Sequence, residues 1–154
     1  MNQALAFLKE QLKENASASP SPLMRWLSPK ILNVEEGKVE LQYIVRNEMT
    51  NPMGILHGGA TAAIIDDAIG VTTFTFGEKY YYATINLSID YLSSVKEGEI
   101  IIAETSIVKK GKQFINAVCE IWNSDKSRLV AKGYSNLFKT EIAKLAVHGP
   151  EGKS

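Results

Sequence analysis

The sequence is poor in the residues on which disulfide-linked and metal-binding proteins depend. It has one cysteine and two histidines among 154 residues. The single cysteine, Cys119, excludes a disulfide within the chain and favours a reducing compartment, so we expect a cytoplasmic protein. No group of cysteines and histidines has the spacing of a zinc site, and the sequence therefore predicts no bound metal.

Long apolar runs and an excess of one charge are also missing. No stretch approaches the roughly 18 apolar residues of a membrane span, and the first residues lack the basic-then-apolar pattern of a signal peptide. The 17 Lys and Arg residues balance 17 Asp and Glu residues. We therefore expect no membrane segment and no nucleic-acid partner. The length suits one compact domain.

The hydrophobic pattern divides the chain into four parts. Leucines at helical spacing predict a helix over residues 2–14, within an N-terminal unit of residues 1–15. The Ser/Pro-rich stretch "ASASPSPL" predicts a linker over residues 16–27. Residues 28–140 are expected to form the main domain. Residues 141–154 are expected to be a short polar tail.

Within the main domain, one apolar helix stands among alternating strands. The segment from Gly59 to about Phe76 lacks proline and is apolar around its whole circumference, which predicts a buried helix. Period-two alternation predicts strands over residues 39–45 and 84–91. The turns "EEGK", "KEGE", "KKGK" and "NSDK" then predict strands over residues 30–34, 99–108, 113–122 and 129–140. We expect an α+β fold in which an antiparallel sheet curves around the helix. Its free edge is expected to pair with a second copy of the chain.

The stretch "NPMGILHGGATAAIIDDAIG", residues 51–70, places two carboxylates on this apolar helix. At about 100° per residue, Asp66 lies in a stripe of small side chains, whereas Asp67 points away from it. A stripe of small residues leaves room for a ligand or another chain. We therefore expect Asp66 to carry the chemistry and Asp67 to be structural or interfacial.

The start of the same helix offers donors for an anion. The first N–H groups of a helix have no partner inside it, and glycines such as Gly58 and Gly59 let a carbonyl approach closely. A purely structural role for these glycines is an equally open interpretation. His57 is expected to hold the turn, and Asn51 can offer an amide donor. Cys119 alternates with apolar neighbours, which favours the core over a nucleophile.

Taken together, these residues resemble one known family. The pattern N-x-x-G-x-x-H-G-G, an aspartate nine residues after the histidine, and the strand "TINLSIDY" are similar to those of the hotdog-fold acyl-CoA thioesterases of the PaaI type. That group includes the 4-hydroxybenzoyl-CoA and the medium- and long-chain acyl-CoA thioesterases. The resemblance extends from about residue 28 to residue 139. It implies a hotdog fold and hydrolysis of an acyl-CoA to free acid and CoA.

The resemblance also implies roles for individual residues. Asp66 matches the family's base or nucleophile, and Gly58 matches the glycine whose N–H polarises the thioester carbonyl. Asn51 matches the asparagine that assists, and Thr84 falls where relatives carry a residue that orients water. A base on an apolar helix is expected to have a raised pKa. Further residues expected to contact substrate are His57, Gly59, Ile85 and Asn86.

The basic turn "KKGK" is a candidate for the phosphates of coenzyme A. It contains Lys109, Lys110, Gly111 and Lys112, and a solvated turn is the equally favoured alternative. No cofactor is expected beyond the coenzyme A of the substrate. The resemblance implies a site shared between two subunits, in a homodimer or in a homotetramer made of two dimers.

Two other functions remain open at this point. A dehydratase or hydratase on acyl thioesters would share the fold, but such enzymes usually carry an active-site "HFP" string that this sequence lacks. A non-catalytic acyl-CoA-binding protein would bind without turnover. The acyl group itself is not determined by the sequence.

Overall fold

One antiparallel sheet of six strands forms the body of the protein. The computed structural model describes residues 2–12 and 16–144. The strand order across the sheet is β1-β2-β4-β5-β6-β3, so β1 and β3 are its edges. The strands are β1 (Lys30–Glu35), β2 (Lys38–Ile44), β3 (Tyr80–Tyr91), β4 (Ile100–Lys110), β5 (Phe114–Asn123) and β6 (Leu129–Ala143).

Turns join most neighbours in the sheet directly. The β1–β2 hairpin turns at Gly37, whose φ of +77° favours glycine and whose N–H donates to Thr75 Oγ1 at 2.8 Å. Strands β4, β5 and β6 follow one another as a meander. The predicted strands are confirmed, although β3 begins at Tyr80 rather than Thr84. Strand β6 also continues past the predicted end at residue 140 to Ala143.

The concave side of the sheet holds one long helix. Helix α3 (Gly58–Phe74) buries Ile64, Ile65, Ala68 and Ile69 completely against the strands. Strand β6 lies so close that a Cβ on Gly133 would stand 2.7 Å from Ile65 Cγ2. The apolar circumference of the sequence therefore corresponds to a helix enclosed by a curved sheet, as predicted.

The N-terminal segment packs at the far end of α3. Helix α1 (Gln3–Phe7) continues as a π-helical turn, Leu8–Leu12. The Phe7 ring meets the Phe74 ring edge-on at 6.3 Å, and Asn2 Nδ2 donates to the Thr75 carbonyl at 2.9 Å. This segment closes the end of the core opposite the start of α3. No described helix is long and apolar enough to cross a membrane.

The predicted linker over residues 16–27 is helical over most of its length. A short 3-10 turn (Ala16–Ala18) and helix α2 (Pro22–Leu27) occupy it. Ser21 caps α2 by accepting from the Met24 N–H, and Pro22 takes the first helical position, which proline tolerates. Met24 and Leu27 are buried in the core, so the helix is anchored. Most of the predicted tail, residues 145–154, lies outside the described residues.

Candidate active site

The first part of the site joins the central helix to the edge strand. Asp66 lies on α3, partly exposed, and its Oδ1 accepts a hydrogen bond from Thr84 Oγ1 of β3 at 3.0 Å. This contact agrees with the helical wheel, which turned Asp66 toward open space. It brings together two of the residues singled out from the sequence, at a place that solvent reaches.

A bulge in β3 aims Thr84 at the helix. The register to β6 shifts between Thr84 and Asn86, which pair with Leu137 and Asn136. Such a bulge leaves one residue unpaired and re-aims its neighbours. Ile85 is 53% exposed. Asn86 turns to the outer face of the sheet, where its Oδ1 accepts from Asn136 Nδ2 at 2.9 Å. The structure therefore does not bring Asn86 together with Asp66.

The second part of the site is the start of α3. His57 caps the helix, and its Nδ1 accepts from the Gly59 N–H at 2.8 Å. The imidazole holds the turn, as predicted, and this contact occupies the Gly59 N–H. Gly58 is the first residue of the helix, so its N–H has no acceptor within the helix. Of the two glycines, Gly58 is the one with a donor to offer.

A surface pocket of about 270 Å³ opens beside Gly58. Tyr91, the last residue of β3, donates its hydroxyl to the Gly58 carbonyl at 3.0 Å. Thr61 also lines the pocket and is almost fully buried. Neither Tyr91 nor Thr61 was predicted as a site residue from the sequence. The available signal was the tyrosine that ends the alternating strand.

Asn51 shapes the loop that leads into α3. Its Oδ1 accepts from the N–H groups of Met53 at 3.0 Å and Ile55 at 3.4 Å. The side-chain oxygen therefore closes the loop on itself. The sequence predicts that the Asn51 amide nitrogen donates to a substrate. Neither of these two hydrogen bonds uses that nitrogen.

Asp66 and the start of α3 are too far apart to share one small group. Eight residues separate Gly58 from Asp66, and a rise of 1.5 Å per residue places them about 12 Å apart along the helix axis. A thioester carbonyl that contacts the Gly58 N–H cannot also reach Asp66 of the same chain. The two groups therefore cannot act on the same thioester carbonyl within one chain.

The neighbouring Asp67 is electrostatically unlike a surface carboxylate. Its Oδ2 is buried and has no hydrogen-bond partner among the described residues. Burial, and then the charge of Asp66, raise the pKa of Asp67 to about 7. Burial dominates this shift because Asp67 is the carboxylate that faces the core.

Tyr43 of β2 is a polar residue of the sheet that interacts electrostatically with Asp67. It is 1% exposed, and its hydroxyl has no partner among the described residues. Burial, followed by the charge of Asp67, raises the pKa of Tyr43 well above its ordinary value. Asp67 is therefore turned toward the sheet, which supports the structural role predicted for it.

The lysines of the basic turn between β4 and β5 differ in their surroundings. Lys110 Nζ lies 2.6 Å from Glu78 Oε1 and over the Phe76 ring, so it is held by the protein. Lys109 and Lys112 are exposed and line a shallow pocket of about 480 Å³. The Gly111 N–H donates to the Phe114 carbonyl at 2.8 Å and closes the turn.

Cys119 is a core residue, as predicted. It is fully buried, and burial raises the pKa of its thiol to about 12, so no thiolate is present near neutral pH. Within residues 2–12 and 16–144, no group of three or more His, Cys, Asp and Glu side chains is arranged to hold a metal ion.

Helix α3, strand β3 and the loop from residue 53 to the helix fall within the match to one family model, whereas Asn51 precedes it. Residues 53–130 match the model of the Thioesterase superfamily, which is half of the chain. The chain belongs to the thioesterase superfamily. This membership confirms the hotdog fold and the resemblance to PaaI-type thioesterases, and it makes the protein a thioester hydrolase.

Individual proteins are similar to this chain over most of their own length. Human acyl-coenzyme A thioesterase 13 is 28% identical over 103 residues, which are 67% of this chain and 74% of the relative. A Streptococcus mutans protein solved with bound acetyl CoA has a TM-score of 0.67 at 25% identity, covering 73% of this chain and 88% of that one. The Escherichia coli PaaI protein shares the fold, with a TM-score of 0.75 at 20% identity over 85% of this chain and 93% of its own.

Proposed function

We propose that this thioesterase hydrolyses acyl-CoA to free acid and CoA, with Asp66 as the base that activates water and the Gly58 N–H as the donor to the carbonyl oxygen. The observation that carries the proposal is the 3.0 Å hydrogen bond from Thr84 Oγ1 to Asp66 Oδ1. It leaves Asp66 Oδ2 for a water molecule. Thioester hydrolysis requires a positioned water, a base and a polarised carbonyl.

The start of α3 supports the oxyanion role of Gly58. Its N–H lies at the positive end of the helix dipole and beside an open pocket. A single donor aimed at a developing oxyanion is worth on the order of 10²–10³ in rate. The Gly59 N–H is already bound to His57, so of the two glycines Gly58 is assigned this role. His57 then acts by holding the turn.

A second copy of the chain completes the site. Since Asp66 and Gly58 are about 12 Å apart in one chain, the carbonyl donor for a given Asp66 comes from the partner. The edge strand β3 is the surface proposed for this pairing. As the last strand of the sheet it has one edge that no described strand covers, and it exposes Tyr81, Ile85 and Tyr91. In this assembly Ile85 lies at the interface, next to the substrate. Two such dimers then form the proposed tetramer.

Two lysines of the β4–β5 turn are the proposed contacts for coenzyme A phosphates. Lys109 and Lys112 form no ion pair with another described residue and lie beside a surface pocket, whereas Lys110 is paired with Glu78. The coenzyme A chemistry is further supported by human acyl-coenzyme A thioesterase 13 and by the acetyl CoA bound to the Streptococcus mutans protein.

The test is release of free thiol from a panel of acyl-CoAs of different chain lengths and from aromatic acyl-CoAs. Asp66→Asn is expected to lower kcat by a factor of at least about 10². Asp67→Asn, one residue away, is the matched control and is expected to keep most of the activity. Wild-type activity in Asp66→Asn would exclude Asp66 as the base. Loss of the enoyl absorbance of an enoyl-CoA without thiol release would favour a hydratase instead.

A further inference from the structure

Two hydroxyl groups from different elements donate hydrogen bonds to backbone carbonyls at the start of α3. Thr61 Oγ1 donates to the His57 carbonyl at 3.2 Å, and the Thr61 N–H donates to the same carbonyl at 3.0 Å. The Tyr91 hydroxyl donates to the next carbonyl, that of Gly58, at 3.0 Å. Thr61 lies inside the helix, whereas Tyr91 comes from the edge strand.

These contacts determine where the free N–H of the turn points. A peptide unit is planar and trans, so its C=O and N–H point in opposite directions. The His57 carbonyl and the Gly58 N–H belong to one peptide unit, and fixing the first fixes the second. The following peptide unit is held at both ends, by Tyr91 on its carbonyl and by His57 Nδ1 on the Gly59 N–H.

Two consecutive glycines make such support necessary. Without side chains, Gly58 and Gly59 have a wide choice of backbone conformations, and a freely moving donor loses the advantage of preorganisation. His57 Nδ1 occupies the Gly59 N–H, whereas Gly58 lines the pocket and its N–H belongs to a peptide unit that these contacts hold in place.

We propose that Thr61 and Tyr91 are positioning residues that orient the Gly58 N–H toward the substrate carbonyl. This inference rests on the proposed function, in which that N–H binds the oxyanion. Neither side chain need touch the reacting atoms. Each acts through a backbone carbonyl of the turn.

The chain offers a matched control for Thr61. Thr72 makes the same kind of hydrogen bond near the other end of α3, from its Oγ1 to the Ala68 carbonyl at 2.8 Å, and it too is buried. Thr61→Val and Thr72→Val therefore remove the same atom from the same helix. Thr61→Val is expected to lower kcat about tenfold with little change in KM. Thr72→Val is expected to leave both unchanged, and Thr61→Ser to restore kcat.

Tyr91→Phe, paired with Tyr134→Phe, tests the second contact. Tyr134 is an exposed tyrosine on the outer face, where its ring lies beside Lys132. A several-fold fall in kcat is expected for Tyr91→Phe alone. Equal kcat values in Thr61→Val, Tyr91→Phe and the two controls would overturn the proposal.

A second measurement does not depend on catalysis. Nitrogen relaxation of the Gly58 amide by NMR is expected to report greater mobility in Thr61→Val and Tyr91→Phe than in the wild type and in Thr72→Val, at equal thermal stability. Unchanged mobility of this amide in both variants would contradict the proposal. A wild-type protein that hydrolyses no acyl-CoA would instead refute the proposed function, while the relaxation data would still decide whether the turn is held in this way.

Discussion

Thr84 Oγ1 of the edge strand donates to Asp66 Oδ1 of the central helix at 3.0 Å, and this bond links the edge strand to the carboxylate proposed as the base. A hydroxyl that donates to one carboxylate oxygen holds the group in one rotamer and leaves the other oxygen to accept from water. Its position on an edge strand also places the pair where a second chain can approach.

Removing this hydroxyl is expected to weaken catalysis more than folding. Thr84→Val keeps the shape of the side chain and loses the donor, so we expect kcat to fall about tenfold while the melting temperature changes little at this exposed position. Thr84→Ser retains the donor and removes a methyl group, and it is expected to keep near wild-type kcat. Steady-state kinetics on one acyl-CoA checks both. Equal kcat in the Val and Ser variants would contradict the role of the hydroxyl.

Asp67 is expected to make the protein less stable as pH rises. Its pKa is about 7 in the folded protein against an ordinary 3.8, so the folded state binds the proton more tightly. Below about pH 4 both states are protonated and no penalty applies. Between about pH 4 and 7 the penalty grows, and above pH 7 it reaches at most about 4 kcal/mol.

Asp67→Asn removes this titration. The free energy of unfolding, measured by urea denaturation at a series of pH values, is expected to exceed that of the wild type by about 2–4 kcal/mol at pH 8. The difference is expected to shrink toward zero near pH 4. Tyr43→Phe, which removes the facing hydroxyl, serves as a companion variant that keeps the titration. If the difference in free energy of unfolding between wild type and Asp67→Asn does not depend on pH, the raised pKa of Asp67 is refuted.

The lysines of the β4–β5 turn are expected to affect substrate binding unequally. Lys109→Ala and Lys112→Ala remove exposed charges and are expected to raise KM for acyl-CoA several-fold, an effect that salt weakens. KM for the same acyl group on a short thiol without phosphates is expected to stay constant. Lys110→Ala breaks the ion pair with Glu78 and serves as a comparison of equal charge change. Equal effects on both substrates would contradict phosphate recognition.

Local patterns predicted most of the fold, because they report which face of an element is buried. The helical wheel separated Asp66 from Asp67, and the structure turns the first toward Thr84 and the second toward Tyr43. Helix α2 was missed because serine and proline mark both linkers and helix starts, and the burial of Met24 and Leu27 that distinguishes the two depends on the folded core.

Local sequence patterns could not predict contacts between distant parts of the chain. Tyr91 and Gly58 are 33 residues apart, and their hydrogen bond depends on the path of β3 past the start of α3. The ion pair of Lys110 with Glu78 likewise joins residues that no local pattern relates. Roles that arise from such contacts are assigned only after the sheet has been assembled.

Complementation between two inactive variants is the sharpest test of a shared site. Asp66→Asn removes the base. Gly58→Pro removes the N–H at the first helical position, where proline is well tolerated, and His57 before it has the extended conformation that proline requires. A Cβ at Gly58 would meet only the Tyr91 ring, at 3.4 Å. Each variant alone is expected to be nearly inactive.

Mixing the two variants in equal amounts, with time for subunit exchange, is expected to restore activity. Random pairing makes half of the dimers mixed. If each site combines Asp66 of one chain with Gly58 of its partner, one site of every mixed dimer is intact and the other carries both changes. The expected activity is about a quarter of the wild type. A site contained within one chain would give no recovery at any mixing ratio, since no chain would then hold both Asp66 and the Gly58 N–H.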